Sequence, residues 1–250
     1  LVTGGVGFIG SNLIEKLHQK GHEVISVDNY STGKKENEHS FCEYHNVNLQ
    51  EHPLEYVKME KPDIIYHLAA KARILPSIQN PLHTMKNNVN SMIHVLDYAR
   101  SKNVPVVYAG SSSVVGDFYN VYGKYQLTEG AYCTLIGIFE RLYNNNQPLT
   151  ITGDGEQRRD FTHVDDIVDG LIRCGRSLLI PNEFHARVDG ETFELGRGEN
   201  YSVNQIAKAF GDYPTKYIEE RPGEMRHTLN TDKKAYTMLG WNPKSDVLDY

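Results

Sequence analysis

The chain has 250 residues, enough for one sizeable core or two closely packed lobes. Its apolar (39%) and charged (23%) fractions and formal charge of −6 describe a globular protein and exclude the basic footprint of a nucleic-acid binder. No apolar run approaches a membrane span, and no signal peptide is expected ahead of the first motif.

Cys42, Cys133 and Cys174 are odd in number and widely spaced, matching neither a zinc site nor a disulfide framework, so a reducing cytoplasm is expected. The eleven histidines are scattered and no metal is indicated. The chain opens mid-strand without an initiator methionine and stops just after Val247-Leu248-Asp249-Tyr250, so both ends are expected to be trimmed.

Leu1-Val2 reads as the end of a strand that runs into Thr3-Gly4-Gly5-Val6-Gly7-Phe8-Ile9-Gly10. Glycine at 4 makes a tight strand-to-helix turn, at 7 lets a pyrophosphate approach the backbone, and at 10 lets the helix pack on the strand. A helix starting near Ser11 would offer its free N–H groups and positive dipole end to phosphates. Leu13, Ile14 and Leu17 recur at helical spacing, Gly21 stands at the helix end, and Glu23 to Val27 read as the second strand. Asp28 closes that strand where an acid would bind a ribose 2′-hydroxyl. It would also repel a 2′-phosphate, a preference that the nearby Lys34 and Lys35 soften. NAD is expected over NADP.

Strands follow at Glu43 to Val47 and Asp63 to Leu68, then a helix from about Pro81 to Arg100 carrying Val89, Met92, Ile93, Leu96 and Tyr98, then a strand at Val104 to Tyr108. Such alternation predicts an α/β fold, a Rossmann-type doubly wound parallel sheet with a smaller mixed α/β C-terminal substrate lobe. The next strand, Phe118 to Gly123, comes too soon: only Ala109 to Asp117 precede it, nine residues. A parallel crossover needs about a dozen or more. Either a segment is absent between Asp117 and Phe118 or the strand assignment fails; the flanking α/β pattern favours the absent segment. Beyond it, helix is expected over Gly130 to Asn144, strand over Leu149 to Thr152, helix over Val164 to Cys174, strand over Thr192 to Leu195, and an N-cap at Ser202 before Val203 to Phe210. The expected domains are 1–123 for the cofactor and 124–250 mainly for substrate, with parts of about 160–197 returning to the first.

Taken together, the chain resembles the extended short-chain dehydrogenase/reductases, within them the NAD-dependent nucleotide-sugar epimerases/dehydratases and especially the UDP-hexose 4-epimerases. The resemblance is carried by Thr3 to Gly10, by Val27 to Gly33, by His67-Leu68-Ala69-Ala70, by Ser111-Ser112-Ser113-Val114-Val115-Gly116 and by Tyr119 to Gly123. Gly153 to Phe161 and Arg221-Pro222-Gly223-Glu224 resemble the segments that close over the nucleotide diphosphate. Departures are Gly110 for a common serine, Val115 for a common tyrosine, and Asn48 for an aspartate near the adenine. The Tyr-x-x-x-Lys pair, which in the family lies on the crossover after the serine strand, has no counterpart; Tyr98 with Lys102 and Tyr30 with Lys34 have the spacing in the wrong places.

The resemblance implies cofactor contacts from Gly4, Gly7, Phe8, Ile9, Gly10, Asp28, Asn29, Ser31, Thr32, Gly33, Asn48, Leu49, Leu68, Ala69, Ala70 and Lys71. Lys71 reads equally as a nicotinamide-side residue and as a loop lysine. Ser111, with Ser112 next, is implied as the catalytic hydroxyl. Asn120, Arg159, Arg221, Glu224 and Thr228 are implied for substrate. A small residue at 228 leaves room for an N-acetyl group, so UDP-GlcNAc/GalNAc stands beside UDP-Glc/Gal. The implied partners are a UDP-sugar and a second copy of the chain. The rival chemistries are a 4,6-dehydratase or a UDP-glucuronate decarboxylase, whose acidic residues in the serine motif are missing here. The rival of another class is a catalytically silent binder of NAD or nucleotide sugar. Tyr66, Tyr108 and Tyr143 read as packing residues.

Overall fold

The computed structural model describes residues 1–72, 74–110, 120–130, 133–180, 183–184, 188–220 and 225–250. Serine-motif residues 111–117, Ser111 and Ser112 among them, and Arg221 and Glu224 lie outside these. In chain order the elements are β1 (Val2–Thr3), α1 (Phe8–Gln19), β2 (Ile25–Asp28), β3 (Glu43–Asn46), β4 (Ile65–His67), α2 (Ile74–Gln79), α3 (Pro81–Lys102) and β5 (Val106–Tyr108). They continue with β6 (Asn120–Tyr122), α4 (Leu135–Asn144), β7 (Leu149–Thr152), β8 (Arg158–His163), α5 (Val164–Leu179), β9 (Asn200–Ser202), α6 (Val203–Ala209), β10 (Thr215–Ile218) and α7 (Lys234–Leu239).

Two compact units result, one from residues 1–110 with 171–189 and one from 111–170 with 190–250. In the first, five parallel strands run in the order β3-β2-β1-β4-β5. That is the Rossmann-type sheet the alternation predicts, with every crossover between neighbours carrying helix or turn. Val27, Leu49, Leu54, Ile65, Val95, Tyr98 and Val104 form its core. Asn103, at φ +52°, ends α3 in the left-handed conformation.

In the second unit, β6 pairs parallel with β8, β8 pairs antiparallel with β9, and β7 pairs parallel with β10. Tyr122, Phe139, Phe161, Leu149, Ile151 and Ile206 fill the core between these strands and the helices α4 and α6. The Ser202 cap is present as a full capping box: its hydroxyl accepts from the Gln205 N–H, and the Gln205 side chain accepts from the Ser202 N–H.

Three expectations need correction. Helix α1 begins at Phe8, not near Ser11: Gly7 is the N-cap, and the Ser11 hydroxyl donates back to the Gly5 and Gly7 carbonyls at 3.1 and 2.8 Å from within the first turn. Helix α4 begins only at Leu135: its N-cap Thr134 is in extended conformation, and Gly130 sits at φ +86°. Thr192 to Leu195 form no strand. The Glu194 and Gly196 carbonyls accept from the Asn230 side-chain amide, which stands where a neighbouring strand would. Of the strand expected over Phe118 to Gly123, residues 118 and 119 lie outside the described residues, and Asn120–Tyr122 form β6, which pairs with β8.

Candidate functional site

The first turn is built by close approach. Gly4 has φ +76°, and a Cβ there would lie 2.8 Å from the Ala69 nitrogen. A Cβ on Gly10 would lie 2.1 Å from the Gly4 carbonyl oxygen, so only glycine lets α1 seat on β1. At Gly7 a Cβ would meet nothing nearer than the Gly4 oxygen at 3.2 Å. That comparatively open side is where a diphosphate needs room. Gly7 caps α1 without a side-chain hydrogen bond and the first turn carries no acid, so no anion of the helix's own competes at its N-terminus.

Asp28 stands at the end of β2, next to this turn through the β1–β2 pairing. Its carboxylate accepts from the Val6 N–H at 3.2 Å and the Tyr30 N–H at 2.8 Å, which fixes its direction. Burial raises its pKa, while these backbone N–H groups and the Lys71 ammonium pull it down. The loop beyond is ordered by side chains: the Ser31 N–H donates to Asn29 Oδ1 at 3.1 Å, and Asn29 Nδ2 donates to Asn48 Oδ1 at 3.2 Å. Gly33 packs against Val6, where a Cβ would sit 2.6 Å from the Val6 oxygen. Thr32 and Ala70 are exposed, Phe8, Ile9 and Leu68 half-buried, and Leu49 points into the core. These observations fit a dinucleotide with an unphosphorylated ribose at Asp28.

On the far side of β1, the Thr3 hydroxyl shares a 2.7 Å hydrogen bond with His67 Nδ1 and accepts from the Ala69 N–H at 3.3 Å. His67 is 1% exposed, and burial holds its pKa down to about 4. Tyr108 stacks on it at 5.8 Å, half-exposed, while Tyr66 is buried.

Lys71 lies in the irregular loop that follows β4. Its ammonium donates to Ser31 Oγ at 2.8 Å, and burial lowers its pKa against the opposing pull of Asp28. Its backbone is held by Asn88, a residue that apolar periodicity gave no reason to notice. The signal was the polar run Asn87-Asn88-Val89-Asn90 in the middle of an amphipathic helix. Asn87 and Asn90 donate to Gln50, and a His94 ring nitrogen bonds the Leu49 carbonyl at 2.7 Å, so α3 holds the loops after both β3 and β4.

In the second unit the organising group is Asp160, fully buried on β8. Its carboxylate accepts from the N–H groups of Arg197 (2.9 Å), Gly198 (2.8 Å) and Asn230 (3.0 Å) and from the Thr162 hydroxyl (3.4 Å). Burial raises its pKa and these donors oppose the rise. Arg159 is half-buried on the same strand, with Nη1 donating to the Arg158 carbonyl at 2.9 Å. Thr228 is 1% exposed, and its hydroxyl accepts from the Asp160 N–H at 3.2 Å. Asn120 opens β6 opposite Phe161. Arg226 grips Asp154 through two bonds of 2.9 and 2.8 Å, holding that carboxyl down to about 2. The pair joins the Gly153 to Gln157 turn to the segment that follows Glu224. Among the described residues no cluster of histidines, cysteines and acids could hold a metal, and no helix is long and apolar enough to cross a membrane.

Comparison with known proteins identifies the family. The family model for the NAD dependent epimerase/dehydratase family matches residues 1–119 and 118–179. A UDP-glucose 4-epimerase of Mycolicibacterium smegmatis is 28% identical over 302 residues, covering 98% of this chain and 93% of that protein. UDP-glucuronic acid decarboxylase 1 of Xenopus tropicalis is 27% identical over 295 residues, covering 97% of this chain and 68% of that protein. Among solved structures, the UDP-glucose 4-epimerase of Thermotoga maritima with UDP-glucose has a TM-score of 0.84 at 25% identity, covering 99% of this chain and 94% of that one. With a close-packed glycine turn after β1, an acid at the end of β2 and a family match across most of its length, the chain belongs to the NAD-dependent epimerase/dehydratase family.

Proposed function

We propose that this chain has the binding apparatus of a nucleotide-sugar 4-epimerase interconverting UDP-hexoses through a 4-keto sugar. The carrying observation is the Gly4–Gly10 turn with Asp28 beside it, in a chain similar over nearly its whole length to UDP-glucose 4-epimerases. Gly7 and the first turn of α1 would hold the diphosphate of NAD, Asp28 its adenosine ribose, and Ala69 and Lys71 would line its path. When bound, NAD would supply a reversible hydride acceptor for the sugar C4. Arg159 would meet the sugar-nucleotide diphosphate, suited by fork geometry and permanent charge, with Asn120 beside it. Ser111 or Ser112, Arg221 and Glu224 keep the roles that the resemblance implies.

Removing the C4 hydroxyl proton needs a base, and a phenol of ordinary pKa near 10 serves only beside cationic neighbours. The sequence offers no such pair after β5. Two observations support a crossover missing from between Asp117 and Phe118: the family model is matched in two pieces that meet at 118–119, and alignments to the relatives run over 295 to 302 residues against a chain of 250. The epimerase reading rests on that crossover carrying the tyrosine and lysine of the family; a chain in which it is truly deleted would bind NAD and a UDP-sugar without turnover. With a relative's crossover inserted there, we expect UDP-galactose to give UDP-glucose. Product analysis tests this on UDP-galactose, UDP-N-acetylgalactosamine and UDP-glucuronate. Loss of carbon dioxide from the glucuronate would favour the decarboxylase reading, and binding without any product would favour the silent binder. Rejection of the acetylated sugar would remove the substrate role given to Thr228.

The expected homodimer has support in α3, where Leu82, Met85, Val89, Ile93 and Leu96 follow a 3-4-4-3 spacing and each is about half exposed. Such a stripe can meet its own copy across a two-fold axis. Ile93→Glu should give a monomer by light scattering; a wild-type chain that is already monomeric would refute the pairing.

A further inference from the structure

Asn88 makes a two-point contact with the backbone of Lys71. Its Oδ1 accepts from the Lys71 N–H at 2.8 Å, and its Nδ2 donates to the Lys71 carbonyl at 3.1 Å. A primary amide can make this paired contact because it carries a donor and an acceptor side by side. It fixes the position and the direction of one residue in an otherwise irregular loop. From that fixed point the Lys71 side chain reaches Ser31 Oγ at 2.8 Å.

The strand order says where this reach lies. Lys71 follows β4 and Ser31 follows β2, and β1 stands between those strands in the sheet. A link from the loop after β4 to the loop after β2 therefore passes over the carboxyl end of β1, which is the Gly4–Gly7 turn. A partly desolvated ammonium is thus held across the place where the turn and the α1 N-terminus admit a diphosphate. Asp28 attracts it from the β2 side. Among the described residues, the Asn88 side chain meets this arch through its hydrogen bonds to the Lys71 backbone.

We propose that Asn88 is a positioning residue for the cofactor: it sets the Lys71–Ser31 arch over the glycine turn, and the arch governs how firmly a dinucleotide diphosphate is kept. The proposal rests on NAD occupying that turn.

The test measures binding of NAD, ADP and adenosine to the 250-residue chain and to Asn88→Ala, Lys71→Met, Ser31→Ala and the Asn88→Ala/Lys71→Met double variant. Each of Asn88→Ala and Lys71→Met should raise the Kd for NAD about tenfold, equivalent to about 1.4 kcal/mol. Most of the change should appear in the dissociation rate. The double variant should bind no worse than Lys71→Met alone, because Asn88 acts through Lys71. ADP should follow NAD, and adenosine, which has no diphosphate, should bind all forms alike.

A general loosening of the fold would weaken adenosine too, and additive losses in the double variant would make Asn88 independent of Lys71; either result overturns the proposal. Should Asn88→Ala fail to fold, Ser31→Ala removes the far end of the arch without touching α3. It should raise the Kd for NAD and ADP several-fold, again without adding to Lys71→Met. Unchanged affinity in Ser31→Ala would also overturn the proposal. No NAD binding by the unaltered chain would instead overturn the cofactor assignment, and this proposal with it.

Discussion

Gly10 rests on Gly4 so closely that a single added methyl would stand 2.1 Å from the Gly4 carbonyl oxygen and 2.8 Å from the Gly5 Cα. Both obstacles are backbone, so neither can swing aside. Gly10→Ala is expected to cost about 1–3 kcal/mol as an overpacked contact, and to weaken NAD binding by pushing α1 off β1. Thermal unfolding with and without NAD checks this; an unchanged melting temperature would mean that the helix can shift freely.

Asp28 is oriented by two backbone N–H groups and is the acid beside the glycine turn. Asp28→Ser should weaken NAD about tenfold, the worth of a lost charged hydrogen bond, and weaken NADP far less. Parallel titrations with both dinucleotides show the change in ratio. An equal loss for both would remove Asp28 from the ribose.

His67 gives the first unit a stability that depends on pH. Its folded pKa of about 4 lies below its ordinary 6.5, because burial disfavours the imidazolium. Above 6.5 both folded and unfolded chains hold it neutral, and its contribution is fully present. As pH falls from 6.5 toward 4 the unfolded chain takes up the proton first, so stability drops by up to about 1.4 kcal/mol per pH unit. Denaturation at pH 7 and pH 5 should show this slope in the wild type and a shallower one in His67→Gln. The same slope in both would assign it to other groups.

The glycine turn, α1, β2 and Asp28 were legible because their signals are local: glycines at fixed offsets, apolar residues at helical spacing and a β-branched run closed by an acid. β8 and β10 were not. Arg158 to His163 is mostly polar, and it is a strand because β6 and β9 flank it and Asp160 anchors it. Thr215 to Ile218 is exposed at every position and, among the described residues, pairs only with β7, so no alternation marks it. Thr192 to Leu195 has strand composition but meets an Asn230 side chain in place of a strand. Asn88 stayed unread because the apolar stripe of α3 dominates its pattern, and Lys71's direction toward Ser31 depends on strand order, which no local spacing encodes.

Asp160 should be the least replaceable acid of the second unit. Asp160→Asn keeps the shape but turns an amide N–H₂ toward N–H donors, and a loss of about 2–4 kcal/mol is expected. Urea unfolding measures it. NAD binding by the first unit should persist in native buffer, and its disappearance would show that Asp160 also supports the cofactor.

Arg159→Met should weaken UDP and UDP-sugars at least tenfold, as for a lost charged contact to phosphate, while sparing NAD. Calorimetry with UDP and with NAD separates the two. An unchanged UDP affinity would return Arg159 to a structural role beside Arg158.

The most direct measurement is conversion of UDP-galactose in the presence of NAD by two forms, the 250-residue chain and the same chain with a relative's crossover inserted between Asp117 and Phe118. The predicted result is binding of both ligands by both forms, with UDP-glucose appearing only in the second. Conversion by the 250-residue chain, or binding of both ligands by the extended form without conversion, would contradict it.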